Sequence, residues 1–81
     1  RWFRLAADQG EALAQTKIAI MYDEGQGVPQ DFVQAHKWYN LAAVNGDKPA
    51  AELRDALAKQ MTPAQIAEAQ KLAREWKPIK K

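Results

Sequence analysis

The sequence contains no cysteine, which excludes disulfide staples and thiolate metal sites but leaves the compartment open, since oxidising and reducing compartments both hold cysteine-free proteins. It has one histidine, His36, too few for a histidine metal cluster. No apolar run approaches the roughly 18 to 20 residues that span a bilayer, so no transmembrane segment is expected. Neither sign of charge dominates: the formal net charge is +2, and the excess gathers at the end, in Lys71, Arg74, Lys77, Lys80 and Lys81. Glycine and proline are sparse, four of each in 81 residues, so where they stand is informative. A chain this short is one domain or less and buries only about 60% of the surface its unfolded form exposes, so its stability is expected to be marginal. Arg1 is not an initiator methionine, and Trp2 to Ala7 reads as the tail of a helix. The chain is therefore expected to be a piece of a longer one, with any targeting signal upstream.

Between those punctuation marks the pattern is helical throughout. Arg1 to Gln9 reads as the last turns of a helix closed by Gly10, at the place where a left-handed cap favours a residue without a β-carbon. A second helix is expected from about Glu11 to Asp23, with Ala14, Ile18, Met21 and Tyr22 on its apolar stripe and Leu13, Thr16, Lys17, Ile20 and Glu24 off it. Gly25-Gln26-Gly27-Val28-Pro29 must be loop. Asp31 caps the next helix, with Gln34 in the capping-box position; its buried stripe is Phe32, Ala35, Tyr39 and Ala42, with Trp38 on the border, and Gly46 closes it. A further helix follows Asp47, with Pro49 in its first turn and Ala50, Leu53, Leu57 and Met61 on its apolar side. Thr62-Pro63-Ala64-Gln65 is a capping box, flanked by Met61 and Ile66 as a hydrophobic staple. The last helix carries Ile66, Ala69, Ala73 and Trp76 and ends before Pro78, leaving Ile79-Lys80-Lys81 as a tail.

The chain also repeats itself. Trp2-Phe3-Arg4-Leu5-Ala6-Ala7-Asp8-Gln9-Gly10 returns as Trp38-Tyr39-Asn40-Leu41-Ala42-Ala43-Val44-Asn45-Gly46, an offset of 36 residues. Self-similarity at such a period signals stacked supersecondary units, none able to bury its apolar face alone. The expected fold is all-α, a right-handed α-solenoid of antiparallel helical hairpins. Small residues (Ala6, Ala7, Ala14, Ala19, Ala35, Ala42 and Ala43) stand where backbones approach, and Trp2, Phe3, Phe32, Trp38, Tyr39 and Trp76 fill the gaps.

The run Ala12-x-Ala14-Gln15-x-x-Ile18-Ala19-x-Met21-Tyr22-x-x-Gly25-x-Gly27-Val28-x-x-Asp31, continued by Ala35, Trp38-Tyr39, Ala42-Ala43 and Gly46, strongly resembles the Sel-one-like repeat, a longer relative of the tetratricopeptide repeat. Ala19 stands where that family usually has glycine, so the hairpin helices are expected to sit slightly further apart. On this resemblance residues 1–10 are the end of one repeat, 11–46 a complete repeat, and 47–81 a divergent C-terminal capping hairpin with a basic tail, such as often follows the last repeat in bacterial members. The resemblance implies a scaffold that binds other proteins or peptides and has no chemistry, cofactor or metal of its own.

The residues agree with that expectation. His36 has no nucleophile or orienting partner in view and reads as a packing or hydrogen-bonding residue. Asp23, Glu24 and Asp31 bracket the glycine loop without the alternating oxygen ligands and closing glutamate of a calcium loop. Gly25-Gln26-Gly27 lacks the strand, third glycine and Lys-Ser/Thr of a phosphate loop. Glu68 and Glu75 interleave with Lys71 and Arg74, so the basic end reads as a salt-paired face and no specific nucleic acid partner is expected. The candidate protein-binding residues are Leu13, Thr16, Lys17, Ile20 and Glu24, with Glu52 and Gln60 at repeat-equivalent places. Leu13 and Ile20 are the sharpest hint, because exposed apolar pairs often mark contact sites; the alternative reading is that neighbouring units bury them. The alternative role is purely structural, closing a longer array. Self-association through the Trp2-Phe3-Leu5 helix is also expected.

Overall fold

The computed structural model describes residues 2–77, with side chains from Leu5 onward. It has five helices: α1 (Trp2–Asp8), α2 (Ala12–Glu24), α3 (Phe32–Val44), α4 (Lys48–Ala58) and α5 (Pro63–Glu75). The described residues contain no strand, and the helices pack as a helical-repeat solenoid, α1 on α2, α2 on α3, and both α4 and α5 on α3. The basic tail from residue 79, and the packing roles expected of Trp2 and Phe3, lie outside the described residues and side chains.

The repeat is visible bond by bond in the helix ends. After α1, the Glu11 amide donates to the Ala6 carbonyl at 3.0 Å and the Gly10 amide to Ala7 at 3.0 Å. After α3, thirty-six residues on, the Asp47 amide donates to Ala42 at 2.9 Å and the Gly46 amide to Ala43 at 3.3 Å. This is the paired closure that satisfies the last carbonyls of a helix, and it needs a left-handed residue at its centre. Gly10 and Gly46 supply one, with φ of 94° and 118°. Starts are equally local. Asp31 accepts from the Gln34 amide, while the Asp31 amide itself goes to the Tyr22 carbonyl at 2.9 Å, so only half of the expected capping box forms there. Thr62 and Gln65 form the complete box. Met61 is buried, and Ile66 packs on the core beside it.

Alanines set the helix spacing. Ala7, Ala19, Ala35, Ala42, Ala50 and Ala69 have no exposed surface, so neighbouring backbones meet at close range. The hub is α3, which packs on α2, α4 and α5; α1 packs chiefly on α2. Within 47–81, α4 and α5 are each held by α3 more than by each other.

This hub explains where burial departs from the sequence expectation. Trp38, expected at the border, is 1% exposed, because α5 brings Trp76 edge-on to its ring with centroids 6.1 Å apart. Phe32, Met21 and Tyr22, expected in buried stripes, are half-buried against the core. Leu53 is 40% exposed rather than buried. With α3 as its chief neighbour, α4 has a narrow covered strip filled by Ala50 and Leu57. Arg54 lies along its edge and donates to the Asn40 side chain at 2.8 Å.

Candidate functional site

Because α2 stands between α1 and α3, its far side is left to solvent. Its inward face is Ala14, Gln15, Ile18 and Ala19. Gln15, missed by apolar periodicity, is completely buried: its amide donates to the Ala7 carbonyl at 3.0 Å and its carbonyl accepts from Asn45 at 3.0 Å. One side chain thus ties the ends of α1 and α3 to α2 and leaves no orphaned amide inside. At the other end of α2 the Tyr39 hydroxyl donates to Asp23 at 3.1 Å. Burial first, and then the Asp23 carboxylate, push the Tyr39 phenol above its ordinary range. These two ties fix the rotation of α2 and with it the residues it turns outward.

Those residues are Leu13, Lys17, Ile20 and Glu24, spaced four, three and four along one stripe of the helix. Leu13 is 71% exposed, a large apolar side chain that nothing in the fold covers. Lys17 and Glu24 are exposed, and Ile20 is half-buried with one side against the core. Ile20 therefore presents an edge rather than a free side chain. Thr16 belongs elsewhere. It is half-buried, and its hydroxyl bonds the Ala12 carbonyl at 3.2 Å and the Asp47 carboxylate, clasping α2 to the α3–α4 turn. Asp47 consequently leaves the start of α4 without a side-chain cap. Glu52 is exposed on α4, and Gln60 is exposed in the turn after it.

Beside the stripe, Lys17, Ile20, Met21 and Gln26 line an open cavity of about 230 Å³. Met21 and Gln26 were not among the sequence candidates. The signal was the glycine loop, which folds back on the end of α2: the Gln26 amide donates to the Met21 carbonyl at 3.0 Å, and Gly27 makes the turn with a φ of 76°. The cavity pairs an apolar floor with an ammonium and an amide, a combination that can hold a side chain from another molecule but offers no nucleophile or base.

Asp23, Asp31 and His36 are committed to structure. Asp23 and Asp31 serve Tyr39 and the start of α3, and the described residues contain no group of three or more His, Cys, Asp or Glu placed to hold a metal. His36 is 3% exposed on α3, and its pKa is lowered by burial and by the charge of Arg54, with Asp55 acting in the opposite sense. Along α5, Glu68, Lys71, Arg74 and Glu75 are exposed, where ion pairs are worth little in water.

The family model for the Sel1 repeat matches residues 1–11 and 12–47. Residues of this chain are 35% identical over 52 positions to the DAP3-binding cell death enhancer 1 of Rattus norvegicus, covering 64% of this chain and 10% of that protein. They are 33% identical over 57 positions to the chitin synthase regulator SKT5 of Malassezia restricta, covering 70% of this chain and 4% of that protein. The chain thus spans at most a tenth of the length of these relatives.

Proposed function

Since the chain belongs to the Sel1 repeat family, we propose that it is a non-catalytic protein-interaction module that recognises other proteins or peptides through the outward face of α2. The observation that carries this reading is the outward stripe of Leu13, Lys17, Ile20 and Glu24, with Leu13 71% exposed, next to the cavity floored by Ile20 and Met21. Leu13 supplies apolar area, Lys17 and Glu24 supply sign-specific contacts, and the cavity takes an inserted side chain. Glu52 and Gln60 extend the surface along the next unit. In a stacked array the first helices of successive units line one wall, so α2 and α4 are the elements on which such a surface would be shared.

The names of the relatives support protein partners, one described as binding another protein and one as regulating an enzyme. Thr16 acts from behind the surface, holding α2 to the next unit. His36, the sole histidine, is buried on α3 and supports no catalytic reading.

The test is a binding comparison in the full-length parent. Leu13→Ala combined with Lys17→Glu should remove captured partners that the parent retains, with helicity by circular dichroism unchanged. Retention of every partner by that variant would favour the purely structural role, in which the segment only closes a longer array.

A further inference from the structure

A buried group on α3 that protein binding does not use stands one turn before Asn40, the residue that ties α3 to Arg54 of α4. His36 is 3% exposed, and its Nδ1 has no hydrogen-bond partner among the described residues. The charged groups around it offer no remedy. On α4, Arg54 is engaged with Asn40 at 2.8 Å and presents positive charge, and the Asp55 carboxylate is held by Arg54 Nε at 3.1 Å. On α3 itself, Lys37 lies over the Trp38 ring at 4.4 Å. On α2, Asp23 takes the Tyr39 hydroxyl and Glu24 is exposed. On α5, Glu68, Lys71, Arg74 and Glu75 are exposed.

A proton added at Nδ1 would therefore place an N–H at a buried position that has no hydrogen-bond partner among the described residues, and a positive charge within the influence of Arg54. α4 is the element free to respond. α3 is packed on three sides, whereas α4 is held chiefly by α3, through Ala50, Leu57 and the Arg54–Asn40 bond. We infer that His36 is a proton-operated latch, and that protonation of its ring releases α4 from α3 while α2 and α3 stay together.

The direction follows from the site. Burial and Arg54 hold the imidazole neutral below its usual titration range, so the stability of the closed interface is complete above the usual histidine value of 6.5. It is withdrawn as pH falls below that value, through the lowered pKa of the closed form. Local opening of a helix with one main neighbour needs less than global unfolding.

The test is hydrogen exchange on the full chain at about pH 7 and about pH 5, corrected for intrinsic rates, with α2 amides as internal reference. Protection of the α4 amides should fall about tenfold per unit of displaced titration while α2 amides hold, and in His36→Leu the α4 protection should be independent of pH over this range. Should that variant fail to fold, titration of the His36 ring by NMR in the unaltered chain decides. Loss of α4 protection must set in below the usual histidine value and level off where the ring itself titrates. Constant α4 protection, an equal loss in His36→Leu, or a ring that titrates near its usual value with α4 undisturbed would overturn the latch.

Discussion

Gln15 shows how much a single buried polar residue can organise. Both ends of its amide are satisfied, by the Ala7 carbonyl and by Asn45, so its burial does not leave a desolvated group unpaired. Gln15→Ala removes both bonds of that tie, while the Ala7 carbonyl keeps the Gly10 amide and the exposed Asn45 turns to water. At about 0.5 to 1.5 kcal/mol for each lost bond it should cost about 1 to 3 kcal/mol in urea unfolding followed by circular dichroism. Tyr39 makes a second tie whose strength depends on pH. Its phenol is 1% exposed and titrates above the ordinary value of 10.0 because of burial and then Asp23. A raised folded-state pKa gives stability that is complete below the unfolded value and is lost as pH rises towards the folded one. The chain should therefore weaken above about pH 10 relative to Tyr39→Phe, which loses one hydrogen bond, about 0.5 to 1.5 kcal/mol, at neutral pH but lacks the alkaline decline. Unfolding midpoints of both proteins on either side of that pH check this.

At the scale of elements, helix ends are governed by local chemistry. Thr62→Ala breaks the complete capping box of α5 and should cost about 1 kcal/mol, read as a lowered thermal midpoint. Such ends were legible in the sequence for the same reason: Gly10, Gly46, Asp31 and Thr62-Pro63 act on amides and carbonyls within a few residues. The apolar face of α5 was legible too, because one neighbour covers one stripe. What periodicity could not show was how many neighbours each helix has. Trp38 is sealed because α5 returns to the hub, Leu53 is half open because α4 has one main partner, and Gln15 is buried because its hydrogen-bond partners come from two other helices. The outward stripe of α2 was legible in Leu13, Lys17 and Glu24. Thr16 looked equivalent to them until Asp47, thirty-one residues away, was placed beside it.

At the scale of the whole molecule, the thirty-six-residue repeat is reproduced in backbone closure but not in burial. Leu41 on α3 is 7% exposed, and its counterpart Leu5 on α1 is 45% exposed, because α1 is packed chiefly on one side. We expect this chain to self-associate through that side of α1 and Leu5→Glu to reduce the association. A strictly monomeric mass by sedimentation at high concentration contradicts that expectation. Recognition by α2 is a separate matter, and it is tested most directly by a photo-crosslinking residue placed at position 13 of the full-length parent, with position 44 as control. Val44 is 78% exposed and apolar like Leu13, but it lies at the end of α3, off the proposed surface. Crosslinks to a partner polypeptide from position 13, with few from position 44, are the predicted result, and equal yields from both positions, or none from position 13, would contradict it.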